Sequence, residues 1–262
     1  MRPNPLKAKM ARGEPVAGVW MLANDPHVIG VIAEAGFDYV MLDREHTTLS
    51  TDRLELLVRA CDAAGICPLA RVPSEAKPDV LPVLEAGVQG IVAPQIETAE
   101  QARDLVRVSR YHPLGARGMY WISYNSGYGA LPASEYYAAA NRELLVCAQI
   151  ETVTGVENAA AIAAVEGLDC LFIGPSDLSQ SLGVPGDFDH PALAEAVAAT
   201  LAATRAAGKW GGIMATSLEP TPGWIDAGAL LLGWGIDVTW LQEKLRAEAT
   251  RLAGGSSWRR LA

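Results

Sequence analysis

The run Asp43-Arg44-Glu45-His46 sets two carboxylates, a guanidinium and an imidazole in consecutive positions, directly after the apolar stretch Tyr39-Val40-Met41-Leu42. A solvated turn is ordinarily punctuated by Gly, Asn or Pro. Ionisable groups at the end of a buried run suit an active-site rim instead, where an imidazole moves protons and a fixed cation steadies negative charge. Further along, Arg71 closes CPLAR, Gln149 and Glu151 close LLVCAQIE, and CLFIG leads into Pro175-Ser176-Asp177. Two carboxylates such as Glu151 and Asp177, joined by water and carbonyl oxygens, are the donors that a hard divalent ion, Mg²⁺ or Mn²⁺, prefers.

Such residues act together only if the elements carrying them end in one place. Candidate strands are Val16–Met21, Tyr39–Asp43, Cys67–Arg71, Gly90–Pro94, Leu144–Glu151, Cys170–Gly174, Trp210–Met214 and Ala229–Gly233. Helical patterns lie between them, for example 52–64, 98–109 and 191–207. Several close on glycine (AEAG, DAAG, LEAG, RAAGK and IDAG), the usual entry to a left-handed cap. Strands apolar throughout and separated by helices imply a parallel sheet covered on both faces. Eight of them predict an α/β fold, a single (β/α)8 barrel over residues 1–262 closed by helices from Asp237. A doubly wound sheet is the rival, but it usually follows its first strand with a Gly-rich phosphate loop, and here that position reads MLANDPHV. In a barrel the C-terminal strand ends form the catalytic face, and the ionisable residues fall at the ends of strands 2, 3, 5 and 6. The segment from Gln95 to Glu143 holds one clear helix and then an aromatic, glycine-rich excursion containing MYWISYNSGYG, expected at the barrel mouth.

Each of these residues also has an ordinary reading. Asp177 could cap the next helix, Glu151 could be a first-turn residue, His46 a solvated loop histidine and Arg71 a surface bridge. What favours a site is their joint placement while the strand bodies stay apolar.

The chain is 50% hydrophobic and 19% charged with a net charge of −9, which disfavours broad binding to nucleic acid or anionic lipid. No apolar run reaches the roughly 18 residues of a membrane span, and the basic start MRPNPLKAKMARGEP lacks the apolar core of a secretory signal. Cys61, Cys67, Cys147 and Cys170 have no CxxC spacing and read as reduced, buried thiols of a cytoplasmic protein.

The ordered set GVW, DREH, LEAGVQGIVAPQIETAEQA, RYHPLGARG, QIET, GLDCLFIGPSDLSQSLG and GID resembles the class II pyruvate aldolases of the HpcH/HpaI family from about Gly18 to Asp237. The resemblance implies a metal-dependent barrel cleaving 4-hydroxy-2-oxo acids to pyruvate and an aldehyde, assembled as a homohexamer with exchanged C-terminal helices. It implies Glu151 and Asp177 as ligands of Mg²⁺, Mn²⁺ or Co²⁺, His46 as base and Arg71 as stabiliser of developing charge. Gln149 and the backbone of Ser176 and Asp177 would hold the oxo acid, with Trp20 and Asp43 lining the pocket. Glu85 stands where the family has an aspartate that raises the basicity of the histidine. Arg44 replaces a common glycine, Ser176 a frequent alanine, and MYWISYNSGYG departs from the family where the aldehyde half is expected.

A Schiff-base aldolase would need a lysine at a strand end, and Lys7, Lys9, Lys77, Lys209 and Lys244 all lie elsewhere. A lyase acting on CoA thioesters could use the same carboxylates but would want a basic surface for the CoA phosphates. A catalytically silent barrel would have no need of the polar set.

Overall fold

The computed structural model describes residues 1–215 and 221–255. Eight parallel strands close into a barrel in sequence order. They are β1 (Val16–Met21), β2 (Tyr39–Asp43), β3 (Cys67–Arg71), β4 (Gly90–Ala93), β5 (Leu145–Ile150), β6 (Cys170–Ile173), β7 (Trp210–Ala215) and β8 (Ala229–Ile236). All eight predicted strands are present. β8 runs three residues past its apolar run because its end still pairs with β1, Ile236 lying opposite Trp20. The five glycines of the predicted caps, Gly36, Gly65, Gly87, Gly208 and Gly228, all have positive φ, where a side chain would be strained.

Alternation along the strands divides the apolar residues into two sets. Tyr39 and Met41 of β2, Cys67 and Leu69 of β3, and Leu145 and Cys147 of β5 pack with Trp20, Phe172 and Leu231 in one cluster. The opposite phase, including Val40, Leu42, Ala70, Val146 and Ala148, joins a second core with the helices outside. Asp43, Arg71 and Gln149 continue the first phase, so charge and amide replace hydrocarbon only at the carboxyl ends of the strands. All four cysteines are free and buried.

The opposite end of the barrel is tied by Arg110, which is 2% exposed and follows helix Ala99–Ser109. Its guanidinium donates to the Gly167 carbonyl from two nitrogens (3.1 and 2.8 Å), to the Leu144 carbonyl (3.1 Å) and to the Asp169 carboxylate (2.7 Å). Asp169 also accepts from the Val146 amide (2.8 Å) and from Lys7 (3.0 Å). One side chain thus joins the starts of β5 and β6.

The aromatic excursion departs from the sequence expectation. Arg2 and Arg59 lie over the Tyr124 ring (5.4 and 5.2 Å), and Arg59 also donates to the Tyr128 hydroxyl (3.3 Å). Tyr124 sits against Gly87, the cap of helix Lys77–Ala86. The segment therefore packs low on the outside of the barrel, near the ends of helices Thr51–Ala64 and Lys77–Ala86, and not at the mouth. From Asp237 a single described helix, Asp237–Gly255, closes the chain, with residues 256–262 outside the described set. The Asp237 carboxylate accepts the amides of Leu22 and Ala23 (2.9 and 3.1 Å), fixing this helix to the end of β1. Val238, Leu241, Leu245 and Leu252 face outward from it. No described helix is long and apolar enough to cross a membrane.

Removing Arg110 leaves buried carbonyls unpaired and part of the Asp169 charge uncompensated. Arg110→Met should cost about 3 kcal/mol or more, read from the denaturant midpoint. Arg110→Lys should recover only part of it, since an ammonium cannot reproduce the forked contacts.

Candidate active site

Asp43 and Arg71 are opposite partners in the last register pair between β2 and β3. The Arg71 Nε and Nη2 donate to the two Asp43 carboxylate oxygens at 2.9 and 2.6 Å. Both residues are buried, and the two-pronged contact fixes the guanidinium plane. Beyond Asp43 the chain curls back. The Arg44 amide donates to the Arg71 carbonyl (3.0 Å), the Glu45 amide to the Asp43 carboxylate (3.0 Å), and the Thr47 hydroxyl to the Asp43 carbonyl. This aims Glu45 at the remaining guanidinium nitrogen, with Oε2 3.1 Å from Arg71 Nη1. His46 stays exposed, its Nε2 3.8 Å from the same Glu45 oxygen. Burial raises the Glu45 carboxyl, and Asp43 and Asp177 push the same way, while Arg71 and His46 oppose them. The Trp20 ring lies 5.8 Å from the Arg71 guanidinium carbon.

Glu151 follows β5 and is 2% exposed. One of its oxygens accepts the Gln95 amide (2.8 Å), which a left-handed backbone at Gln95 (φ 53°) aims inward. The other accepts from the Gln149 side-chain amide, whose own carbonyl oxygen is buried without a partner. The space comes from Gly174, where a Cβ would lie 2.7 Å from Glu151 Oε2 and 3.1 Å from Gln149 Nε2. Burial pushes the Glu151 carboxyl up to about 7, and Asp177 and Glu45 add to the rise, while the Gln149 and Gln95 bonds oppose it. Asp177 does not cap its helix: Gly174 holds the cap position of Pro175–Ser181, and Asp177 lies in the first turn, exposed.

A cavity of about 200 Å³ opens here. His46, Arg71, Gln149, Ser176 and Asp177 line its polar side, and Trp20, Phe172, Met214 and Ile236 its apolar side. Of the predicted site residues, Glu85 alone is placed elsewhere within the chain. It lies one residue before the end of helix Lys77–Ala86, paired with Arg117 (2.8 Å), and the carboxylate beside His46 is Glu45. The helix has carried the chain back from the strand ends by that point. None of MYWISYNSGYG lines the cavity.

Residues 16–243 match the profile of the HpcH/HpaI aldolase/citrate lyase family. The chain belongs to that family. It is 37% identical to a hydroxypyruvate/pyruvate aldolase of Delftia acidovorans, over 95% of this chain and 92% of the relative. It is 36% identical to a 4-hydroxy-2-oxovalerate aldolase of Novosphingobium aromaticivorans, over 89% and 88%. An HpcH/HpaI aldolase structure from Desulfitobacterium hafniense superposes with a TM-score of 0.90 at 31% identity, covering 97% of this chain and 99% of that one.

The HpcH/HpaI site fits a divalent cation by its donors. Glu151 is a buried carboxylate with carboxylate neighbours and, among the described residues, no cationic partner at hydrogen-bond distance, and the Gln149 carbonyl oxygen beside it has no partner among them. No group of three or more His, Cys, Asp or Glu with metal-holding geometry occurs among the described residues. Glu151 and Asp177 would therefore be completed by neutral oxygens, as hard divalent ions accept.

Sequence reading left Glu45 without a role and passed over Phe172, Met214 and Ile236. Their signal was alternation: Phe172 stands two before Gly174, and Met214 two after Gly212, on the phase that faces the barrel interior. The contribution of Gln95 is an amide N–H, which leaves no trace in side-chain type.

A carboxyl raised in the fold favours the protonated native state, so its contribution to stability is present below the ordinary range and lost as pH climbs to the raised value. In chelator, the protein should lose stability between about pH 4.5 and 7, by about 3 kcal/mol, and Glu151→Gln should flatten that slope in thermal melts. Gly174→Ala should preserve the fold yet weaken Mn²⁺ binding about tenfold or more by displacing Glu151, as read by calorimetry.

Proposed function

We propose that this protein is a metal-dependent aldolase that reversibly cleaves a 4-hydroxy-2-oxo acid to pyruvate and an aldehyde. The observation that carries the reading is the confluence, at one pocket, of Asp177, the locked Arg71 and the accessible His46, with the buried carboxylate Glu151 directly behind the lining residue Gln149. Glu151 and Asp177 would hold the cation, Mg²⁺ or Mn²⁺ by preference for oxygen donors, with Co²⁺ a further candidate. When bound, it supplies Lewis acidity toward the carboxylate and 2-oxo oxygens of the substrate.

The protein's own groups do the rest. Cleavage of the C3–C4 bond leaves an electron pair on C3 that spreads into the 2-oxo group as an enolate. Arg71, held by Asp43 and always charged, faces that negative charge without having to reorganise. His46, at the mouth, takes the proton of the 4-hydroxyl as the aldehyde forms; in condensation it removes a proton from the pyruvate methyl. Glu45 stands beside His46, with Oε2 3.8 Å from the imidazole Nε2. The amides of Ser176 and Asp177, in the first turn of their helix, and the Gln149 side chain hold the oxo acid. The outward leucines of helix Asp237–Gly255 support assembly through that helix, read here as an exchanged helix in a homohexamer, and the free buried thiols support a reducing, cytoplasmic setting.

The test is proton exchange into pyruvate in D₂O, followed by loss of the methyl signal. Exchange should require Mg²⁺ or Mn²⁺, stop with chelator, and fall at least about 100-fold in His46→Ala and in Glu151→Gln. Absence of exchange with any divalent ion would reject the aldolase and favour a lyase acting on CoA thioesters.

A further inference from the structure

Charge is distributed unevenly over the pocket. Asp43, Glu45 and Glu151 lie around Arg71, which donates to both Asp43 oxygens and has Glu45 Oε2 3.1 Å from Nη1, and Asp177 lines the same cavity. A divalent cation together with Arg71 would offset three of these four carboxylates, and the carboxylate of the oxo acid would add to the negative charge that remains. The apolar lining is Trp20, Phe172, Met214 and Ile236, with the two rings 5.3 Å apart and Trp20 the one nearest Arg71. Among the described residues no lysine, and no arginine besides Arg71, lines this cavity. Arg44 donates to the Leu49 carbonyl (3.2 Å), and residues 216–220, which follow β7, read Thr-Ser-Leu-Glu-Pro and bring no cation.

We propose that the acceptor half of this pocket selects an uncharged aldehyde and rejects one bearing a second carboxylate, an inference that rests on the aldolase reading. A carboxylate pressed against the Phe172, Met214 and Ile236 side of the lining would shed water without gaining a partner. It would also approach Glu45 and Asp177 in a setting of reduced dielectric. An alkyl chain meets only favourable burial there.

Calorimetric binding of matched 2-oxo acids to the Mg²⁺-loaded protein separates the two cases. The 2-oxovalerate and 2-oxoglutarate chains have the same length and differ by the terminal charge. The uncharged chain should bind about tenfold tighter or more, the ratio expected for one unpartnered buried charge. In condensation with pyruvate, butanal should exceed succinic semialdehyde in kcat/KM by a similar factor. Met214→Arg, which brings a cation to the wall, should shift the binding ratio toward 2-oxoglutarate by about tenfold. Equal or tighter binding of 2-oxoglutarate by the unaltered protein would overturn the inference while leaving the aldolase intact. Loss of pyruvate exchange, by contrast, would remove the aldolase reading and this inference with it.

Discussion

The ion pair between Asp43 and Arg71 is the contact around which the mouth of this barrel is organised. It closes the last rung between β2 and β3, and its two-pronged geometry ties strand register to the plane of the guanidinium. Asp43 also receives the Glu45 amide, and the Arg71 carbonyl receives the Arg44 amide, so the loop carrying His46 takes its path from the same pair. A slip of one residue in this rung would turn both side chains out of the barrel interior and reverse the layers beneath them. Fold and site therefore share one point of failure.

Charge is handled in two opposite ways within a few ångströms. Arg71 is held by two hydrogen bonds to Asp43, with the Glu45 carboxylate close to its remaining nitrogen, and is thereby immobilised. Glu151 is supported only by an amide N–H and a side-chain amide, with further carboxylates nearby, and its proton affinity rises accordingly. A folded chain tolerates such a deficit where binding will later remove it. The cost is borne by a fold that keeps this carboxylate buried without a counter-charge at hydrogen-bond distance among the described residues.

Much of this was legible in the sequence. The strands declared themselves because in a parallel barrel both faces are buried, so each reads as an unbroken apolar run. Asp43, Arg71, Gln149 and Glu151 stood out because each interrupts or ends such a run. Within the chain Glu85 lies away from His46, because a position in a motif does not reveal which end of a helix it occupies. Helix Lys77–Ala86 descends from the strand ends, and its penultimate residue lies low on the barrel. The aromatic excursion was misplaced for the same reason: it begins after helix Ala99–Ser109 has already returned the chain to the far end. Direction of travel, not composition, decides which face a loop can reach.

The amide of Gln95 carries a lesson for how such a site is dissected. Its hold on Glu151 belongs to the main chain, set by a left-handed φ, and every residue except proline would offer the same N–H. Scanning with alanine would therefore pass over one of the two groups that steady the central carboxylate. Lineages could vary the side chain among residues that tolerate a left-handed φ, glycine and asparagine above all, while the contact itself persisted, so that sequence drift and chemical constancy would coexist at one residue.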